Sequence, residues 1–191
     1  MSFHNEVVYQ IYPKSFQDTN GDGWGDLAGI TQRLDYLQDL GVRYLWITPF
    51  YPSPQRDNGY DVADYCAIDP RYGTMDDFDT LVREAKARGI GLMLDMVFNH
   101  TSTAHEWFQK ALAGDKHYQD YYIFRDGGKG APITNWQSKF GGTAWEYVPG
   151  LDKSYLHLFD VTQADLNWEN PAVREELKNV LRFWKARGVE G

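Results

Sequence analysis

Residues 89–100 read Gly-Ile-Gly-Leu-Met-Leu-Asp-Met-Val-Phe-Asn-His, and this stretch decides the fold class. A continuous apolar run opened by glycines is typical of a strand buried on both faces, as in a parallel sheet covered by helices. We therefore predict a strand here, with Asp95 as a buried and hydrogen-bonded carboxylate. Asn99 and His100 follow at the carboxyl end, where parallel α/β folds carry their chemistry. Taken alone, the polar group fits equally a strand end that only satisfies loop backbone.

The segments around this stretch repeat an order of strand and helix. Strands are predicted at 7–12 and 42–47, and apolar spacing predicts helices over 27–40 and after Thr74, where Asp77 completes a capping box. A further helix is predicted from Asn170 to Gly188, followed by the entry to a fourth strand at 189–191. Alternating strands and helices of this kind indicate a parallel α/β sheet.

Between 103 and 170 the repeating pattern breaks. This segment is rich in aromatics and glycine, with only a short helix expected at 106–112 and a strand at 155–159. It is too long for an ordinary connection, so we interpret it as an insertion. The predicted organisation is 1–102 for three βα units, 103–170 for the insertion, and 171–191 where the first pattern resumes. Three strands and a stub cannot close an eight-stranded barrel, so we expect the amino-terminal part of a larger enzyme.

The composition narrows the possible partners. A net charge of -8 argues against binding to nucleic acid or to anionic membranes. Seven Trp and thirteen Tyr supply flat faces on which sugar rings can pack. The single cysteine, Cys66, excludes an intrachain disulfide and suits a reducing compartment, and neither a secretory leader nor a membrane-spanning run is recognisable. We expect a cytoplasmic enzyme.

Residues 18–26 read Asp-Thr-Asn-Gly-Asp-Gly-Trp-Gly-Asp and place oxygen ligands at alternate positions. The first six match the start of an EF-hand loop, although the final Glu of that template is missing and no helix precedes the loop. Hard oxygen ligands favour Ca²⁺ or Mg²⁺ in a structural role. The alternative is a turn that caps the next helix, but three crowded acidic groups would repel one another without a cation. The predicted ligands are Asp18, Asn20, Asp22, the Trp24 carbonyl and Asp26.

Residues 57–61, Asp-Asn-Gly-Tyr-Asp, lie in the loop after the second predicted strand. Alone, this stretch is as compatible with an Asn-Gly turn as with a sugar site. Together with 95–100 and with Gln-Ala-Asp-Leu-Asn at 163–167, it resembles signature regions of the α-amylase superfamily, in the oligo-1,6-glucosidase branch. Residues 138–142 and 159–170 most resemble the members of that branch that hydrolyse trehalose 6-phosphate. The resemblance implies a (β/α)₈ TIM barrel, α/β in class, with domain B inserted after the third strand.

The resemblance also implies roles for single residues. Asp57 binds hydroxyls of the non-reducing glucose, Tyr60 stacks under it, and His100 supports the transition state. Asp95 and Asn99 brace the strand end. The pocket residues from domain B are Phe140, Phe159 and Gln163. In the family the nucleophilic Asp and the acid Glu of the retaining mechanism come later than Gly191, so we assign no catalytic carboxylate within the chain and expect these residues alone to be inactive.

Several functions remain open on sequence grounds. The first is a retaining glycoside hydrolase that converts trehalose 6-phosphate into glucose and glucose 6-phosphate, and its near neighbour is an oligo-1,6-glucosidase or α-glucosidase. A non-catalytic α-glucosidase-like protein is the second class, and a carbohydrate-binding module, which the barrel pattern disfavours, is the third. Lys139, beside Phe140, either offers a cation to the phosphate or is a hydrated surface lysine.

Overall fold

The computed structural model of the protein describes residues 5–191 as two compact units. The first unit contains 5–52, 66–96 and 180–191, and the second contains 53–65 and 97–179. The strands are β1 Val8–Ile11, β2 Tyr44–Ile47, β3 Gly91–Leu94, β4 His100–Ser102, β5 Phe124–Asp126, β6 Trp145–Val148, β7 Lys153–Leu156 and β8 Gln163–Asp165. The helices are α1 Pro13–Phe16, α2 Leu27–Gln32, α3 Leu34–Asp39, α4 Met75–Ala87, α5 Glu106–Leu112, α6 Lys116–Gln119 and α7 Pro171–Ala186.

The first unit is built on a parallel sheet of β1, β2 and β3, as the sequence predicts. Ile11 pairs with Ile47, and Ile47 pairs with Leu94. The third strand is shorter than predicted, because regular pairing ends at Leu94 and the chain is irregular until β4 begins at His100. Asp95 is therefore outside the strand and half-buried rather than buried. Its carboxylate accepts a hydrogen bond from the indole of Trp46 at 3.3 Å.

Helix α4 begins as its sequence predicts. The Thr74 hydroxyl accepts from the Asp77 backbone, and the Asp77 carboxylate accepts from the Thr74 backbone, so two otherwise unpaired N–H groups are satisfied. The predicted helix over 27–40 is two helices, α2 and α3, because Arg33 leaves helical geometry at φ -103° and ψ 8°. The apolar spacing continues across this break, with Ile30 and Leu34 both fully buried. Periodicity therefore identified the buried face but not the interruption.

Helix α7 begins after Asn170, whose side chain accepts from the Ala172 backbone at 2.9 Å. In the first unit its Trp184 is fully buried, with its ring 5.0 Å from that of Phe78. The predicted strand entry at 189–191 has no strand assignment. The Gly191 carbonyl nevertheless accepts from the Leu94 backbone at 3.0 Å, so this segment runs alongside β3.

The second unit has two antiparallel sheets, β4-β8 and β5-β7-β6. Helix α5 occupies the predicted positions, whereas the strand predicted at 155–159 lies at Lys153–Leu156. An aromatic core fills this unit, with the ring of Phe108 4.9 Å from that of Tyr155 and 5.0 Å from that of Tyr122. Within residues 5–191, the helices are all too short or too polar to cross a bilayer.

Candidate functional site

The pairing of β4 with β8 brings together two of the predicted site residues. His100 lies opposite Asp165, and Ser102 lies opposite Gln163. The side-chain nitrogen of Gln163 is 3.1 Å from Nε2 of His100 and donates to the Asp57 carboxylate at 2.8 Å. The other end of the Gln163 amide accepts from the Asp160 backbone at 2.8 Å. This fully buried amide therefore has a fixed orientation and joins His100 to Asp57.

Asp57 is held by a tight loop organised around Asp61. The buried Asp61 carboxylate accepts from the Ser53 hydroxyl at 2.9 Å and from the backbones of Arg56 and Asp57 at 3.0 and 3.1 Å. The loop turns at Asn58, whose φ of 54° is a left-handed conformation that asparagine tolerates better than most residues. The turn then returns the chain so that the carbonyl of residue 60 is 3.0 Å from Nε2 of His100.

Two aromatic rings, those of Phe159 and Phe140, also belong to the site around His100. The ring of Phe159 is 5.1 Å from the imidazole, and the ring of Phe140 is 6.0 Å from that of Phe159. The hydroxyl of Ser138 donates to the Phe159 carbonyl at 2.6 Å and accepts from the Phe140 backbone at 3.1 Å. Phe140 remains 60% exposed, so its face is available to a ligand. Aromatic faces of this kind are suited to the apolar face of a sugar ring.

The second unit thus brings together the six residues that the resemblance assigns to the sugar. They are Asp57, Tyr60, His100, Phe140, Phe159 and Gln163. Their role in binding stays a prediction. Their arrangement combines a carboxylate for hydroxyl groups, an imidazole for hydrogen bonding and an aromatic wall.

Burial is the main influence on the protonation of two residues of the site, His100 and Asp165. Burial lowers the pKa of His100, and this outweighs the opposite influence of the Tyr60 carbonyl and of the nearby carboxylates of Asp57 and Asp61. His100 is therefore neutral at pH 7. Burial also raises the pKa of Asp165 to about 6, offset in part by hydrogen bonds from the Leu158 backbone and the Asn99 side chain.

Sequence reasoning excluded both Asp61 and Asp165 from the catalytic carboxylates and gave them no other role. Both are buried carboxylates, each with specific hydrogen-bond donors. The sequence carries one signal for Asp165, which is a carboxylate within a short alternating segment at 163–165. Its partner Asn99 is 66 positions away, and only the β4-β8 pairing reveals that they meet.

The predicted metal loop lies in the first unit. Asp18 accepts from the backbones of Gly21 and Gly23 at 2.7 and 2.8 Å, and these bonds lower its pKa. Asn20 and Asp22 make the same kind of turn, accepting from the backbone two residues later at 2.9 and 2.8 Å. The loop therefore keeps its oxygen atoms on one compact turn with Asp18 ionised.

Asp26 has a second use in this loop. Its carboxylate caps α2 by accepting from the Gly29 backbone at 2.7 Å, and it accepts from the Thr19 hydroxyl at 2.7 Å. Across residues 5–191, no three His, Cys, Asp or Glu side chains converge as a metal site. A cation here would therefore also need the amide oxygen of Asn20 and the carbonyl of Trp24. These are the hard donors that Ca²⁺ and Mg²⁺ accept, so the residues fit such an ion by type.

Comparison with known sequences identifies the family. Residues 10–191 match the family described as "Alpha amylase, catalytic domain". The chain belongs to the alpha-amylase family. Among alpha-amylase relatives, the trehalose-6-phosphate hydrolase of Escherichia coli is 63% identical over 99% of this chain and 34% of its own length. The oligo-1,6-glucosidase of Bacillus cereus is 50% identical over 97% of this chain and 33% of its own length.

Solved structures of the alpha-amylase family agree with the fold described above. The crystal structure of Bacillus licheniformis trehalose-6-phosphate hydrolase has a TM-score of 0.94 and 54% identity, covering 97% of this chain and 34% of that one. The trehalulose synthase MutB, solved in a mutant form with sucrose, matches with a TM-score of 0.94 and 53% identity over the same shares of each chain. The chain thus spans about a third of the length of the relatives it matches.

Proposed function

We propose that the protein is a retaining α-glucoside hydrolase that cleaves trehalose 6-phosphate into glucose and glucose 6-phosphate. The observation that carries the proposal is the buried link from Asp57 through Gln163 to His100, flanked by the rings of Phe159 and Phe140. An ionised carboxylate can accept hydrogen bonds from two sugar hydroxyls, and a neutral imidazole can donate another. Membership in the alpha-amylase family supports glycoside hydrolysis as the reaction.

In this proposal the carboxylates of the candidate site bind the substrate or support other residues, and none of them is catalytic. A retaining mechanism needs two carboxyl groups about 5–5.5 Å apart across the scissile bond. Asp61 is occupied by three hydrogen-bond donors, and Asp165 holds Asn99. Asp57 is engaged by Gln163. We therefore place neither the nucleophile nor the acid among these three.

The proposal includes a structural cation. Asp18, Asn20, Asp22 and the Trp24 carbonyl would hold Ca²⁺ or Mg²⁺, with Asp26 joining by way of its carboxylate. The turn-forming hydrogen bonds of Asp18, Asn20 and Asp22 support this assignment, because they preorganise the loop. The ion would fix the loop that leads into α2 and would have no part in the reaction. The presence of one cysteine, Cys66, in these 191 residues supports the cytoplasm as the location.

The substrate is tested by steady-state kinetics on the complete gene product that carries these residues. We expect kcat/KM to be higher for trehalose 6-phosphate than for trehalose or isomaltose. The second candidate, an oligo-1,6-glucosidase, is favoured by relatives at 50% identity and would show higher kcat/KM for isomaltose. A non-catalytic member of the family would turn over none of the three, and the proposal would then be wrong.

A further inference from the structure

The side-chain amide of Asn99 stands between Asp165 and His100. Its nitrogen is 2.9 Å from Oδ1 of Asp165 and 3.2 Å from Nδ1 of His100. The same Oδ1 accepts from the Leu158 backbone at 3.4 Å. The ionised Asp165 carboxylate is therefore an acceptor, and the end of the Asn99 amide that faces it must be the NH₂ group.

This orientation decides which nitrogen of His100 carries a proton. An NH₂ group has two hydrogens, so the one not given to Asp165 is available to Nδ1 of His100. Nδ1 can accept it only as an unprotonated nitrogen. The proton of the neutral ring then lies on Nε2, which is 3.0 Å from the Tyr60 carbonyl oxygen. That carbonyl can only accept, so both ring nitrogens are satisfied.

A second group faces Nε2 at 3.1 Å, and it opposes a proton there. Gln163 presents its NH₂ group to Nε2, because its oxygen is taken by the Asp160 backbone and its nitrogen donates to Asp57. Gln163 therefore cannot accept from His100. A proton on Nδ1 would instead face the Asn99 amide and would leave Nε2 and the Tyr60 carbonyl without a hydrogen between them. The proton on Nε2 thus makes more hydrogen bonds, and it is directed to the Tyr60 carbonyl. A ligand hydroxyl near Asp57 could share this proton.

We infer that Asn99 and Asp165 are positioning residues that hold His100 as a neutral imidazole with its proton on Nε2. The tautomer follows from the contacts above. The part that this tautomer plays at the sugar rests on the proposed function, in which Nε2 donates to a hydroxyl of the bound sugar. Asp57 and Asp61, in the loop packed against His100, favour a charged ring. The Asn99 amide opposes this, because a proton on Nδ1 would face another N–H.

The test exchanges the two partners. The double variant Asn99→Asp with Asp165→Asn keeps an amide–carboxylate pair between positions 99 and 165, so it preserves the brace between β4 and β8. It replaces the donor beside Nδ1 with a carboxylate. We expect the ring proton to move to Nδ1 and the pKa of His100 to rise by about 1–3 units, as for other groups beside an opposite charge. Nitrogen NMR of the ¹⁵N-histidine-labelled complete gene product measures both the tautomer and the pKa of His100. The variant His100→Gln assigns the signal.

Two controls separate positioning from folding. Asp165→Asn alone keeps an acceptor for Asn99, so the His100 tautomer should stay as in the wild type. Asn135→Asp makes the same chemical change on an exposed loop of the same unit, and should change neither the tautomer nor the kinetics. Melting temperatures check that each variant is folded.

The kinetic outcome completes the test. In the neutral ring of the double variant the proton lies on Nδ1 and Nε2 is no longer a donor. At a pH above the raised pKa of His100, kcat/KM should therefore be lower on the order of 100-fold, as for other preorganised donors. Below that pKa both ring nitrogens carry a proton, and part of the loss should be recovered. A wild-type tautomer and wild-type kcat/KM in the double variant would mean that Asn99 and Asp165 only brace the strands, which overturns the inference. A proton on Nδ1 in the wild type would overturn it as well. A moved proton with unchanged kcat/KM would uphold the positioning and instead contradict the role of His100 in the proposed function.

Discussion

Gln163 donates its side-chain amide to the carboxylate of Asp57, which lies 106 positions earlier in the chain, at a distance of 2.8 Å. Gln163 is fully buried and its opposite end is bound to the Asp160 backbone, so it cannot turn away. The amide therefore fixes one oxygen of Asp57 relative to His100. An apolar residue of the same size would fill the space without providing that bond.

The first prediction concerns this pair. Gln163→Glu keeps the shape of the side chain but places a carboxylate against Asp57, and at pH 7 the two negative charges repel each other, which raises the pKa of one of them. We expect kcat/KM of the complete gene product to fall at pH 7 by the equivalent of about 1–3 kcal/mol, as when a buried charged group loses its partner. Activity should recover in part below pH 6, where the two groups share a proton. Wild-type kcat/KM at pH 7 would contradict the pairing.

The second prediction concerns His100 and Asp57 themselves. His100→Ala and Asp57→Ala should each lower kcat/KM while the fold is retained, because each removes a hydrogen-bonding group from a preorganised site. A loss of about 2–4 kcal/mol in transition-state stabilisation is typical of such a change. Single-turnover and steady-state rates on trehalose 6-phosphate measure it. Arg83→Ala, an exposed substitution in the first unit, is the control for expression and stability.

The third prediction is the pH dependence of stability at Asp165. Its pKa is about 6 in the fold and near the ordinary 3.8 when unfolded, so the folded state binds more protons between these values. The favourable contribution of Asp165 is therefore present at low pH and lost as the pH rises through about 6. Asp165→Asn removes this dependence while keeping an acceptor for Asn99.

The measurement compares melting temperatures of wild type and Asp165→Asn between pH 4 and pH 7.5. As the pH rises, the free energy of unfolding of the variant should increase relative to that of the wild type, by at most about 1.4 kcal/mol per pH unit. Asp39→Asn, at an exposed position of the first unit, serves as the control. A difference in melting temperature that stays constant over this range would mean that the pKa of Asp165 is not raised in the folded protein.

The parallel sheet and most of the helices of the first unit could be predicted from sequence, because they depend on local signals. The Thr74 capping box and the apolar run before Asp95 are contained within a few residues. Strands β4, β5, β6 and β8 were missed, since a run of three or four residues is too short to show a periodicity. The break at Arg33 was missed for the opposite reason, because the apolar spacing continued across it.

In the candidate site, too, local sequence reveals some features and leaves others hidden. Asp57, His100 and Gln163 could be named because they lie in stretches that resemble a known family. The contacts that hold them could not be named, because each bond joins positions that are tens of residues apart. No sequence pattern shows that Asn99 faces both Asp165 and His100. That arrangement depends on the register of β4 and β8.

The fourth prediction concerns the metal loop. A bound Ca²⁺ or Mg²⁺ would offset the repulsion among Asp18, Asp22 and Asp26, so saturating chelator should lower the melting temperature of the complete gene product. Asp22→Asn should lower the affinity for the ion, since it removes one charge from the ligand set. Isothermal titration with each cation and the chelator shift measure these effects. Unchanged melting, with no ion in crystals grown with Ca²⁺, would show that the loop is only a turn that caps α2.

The fifth prediction concerns the phosphate. With a net charge of -8, these 191 residues together repel an anionic substrate, so a local basic group is needed. Lys139 lies next to Phe140, and its backbone is fixed by a bond to the Leu158 carbonyl at 2.8 Å, but its side chain is exposed. A hydrated lysine contributes at most about 1 kcal/mol to a charge pair, so we expect Lys139→Ala to lower kcat/KM for trehalose 6-phosphate less than about fivefold.

The comparison that decides the matter uses two substrates and two lysines. Lys139→Ala and the control Lys129→Ala, both at exposed loop positions of the second unit, are each assayed with trehalose 6-phosphate and with trehalose. Equal small effects of both variants would place the phosphate contact on other residues of the complete gene product. A loss of tenfold or more that is confined to Lys139 and to the phosphorylated substrate would instead make Lys139 a phosphate ligand. That result would contradict our expectation, because a hydrated lysine cannot discriminate so strongly between a sugar and its phosphate ester.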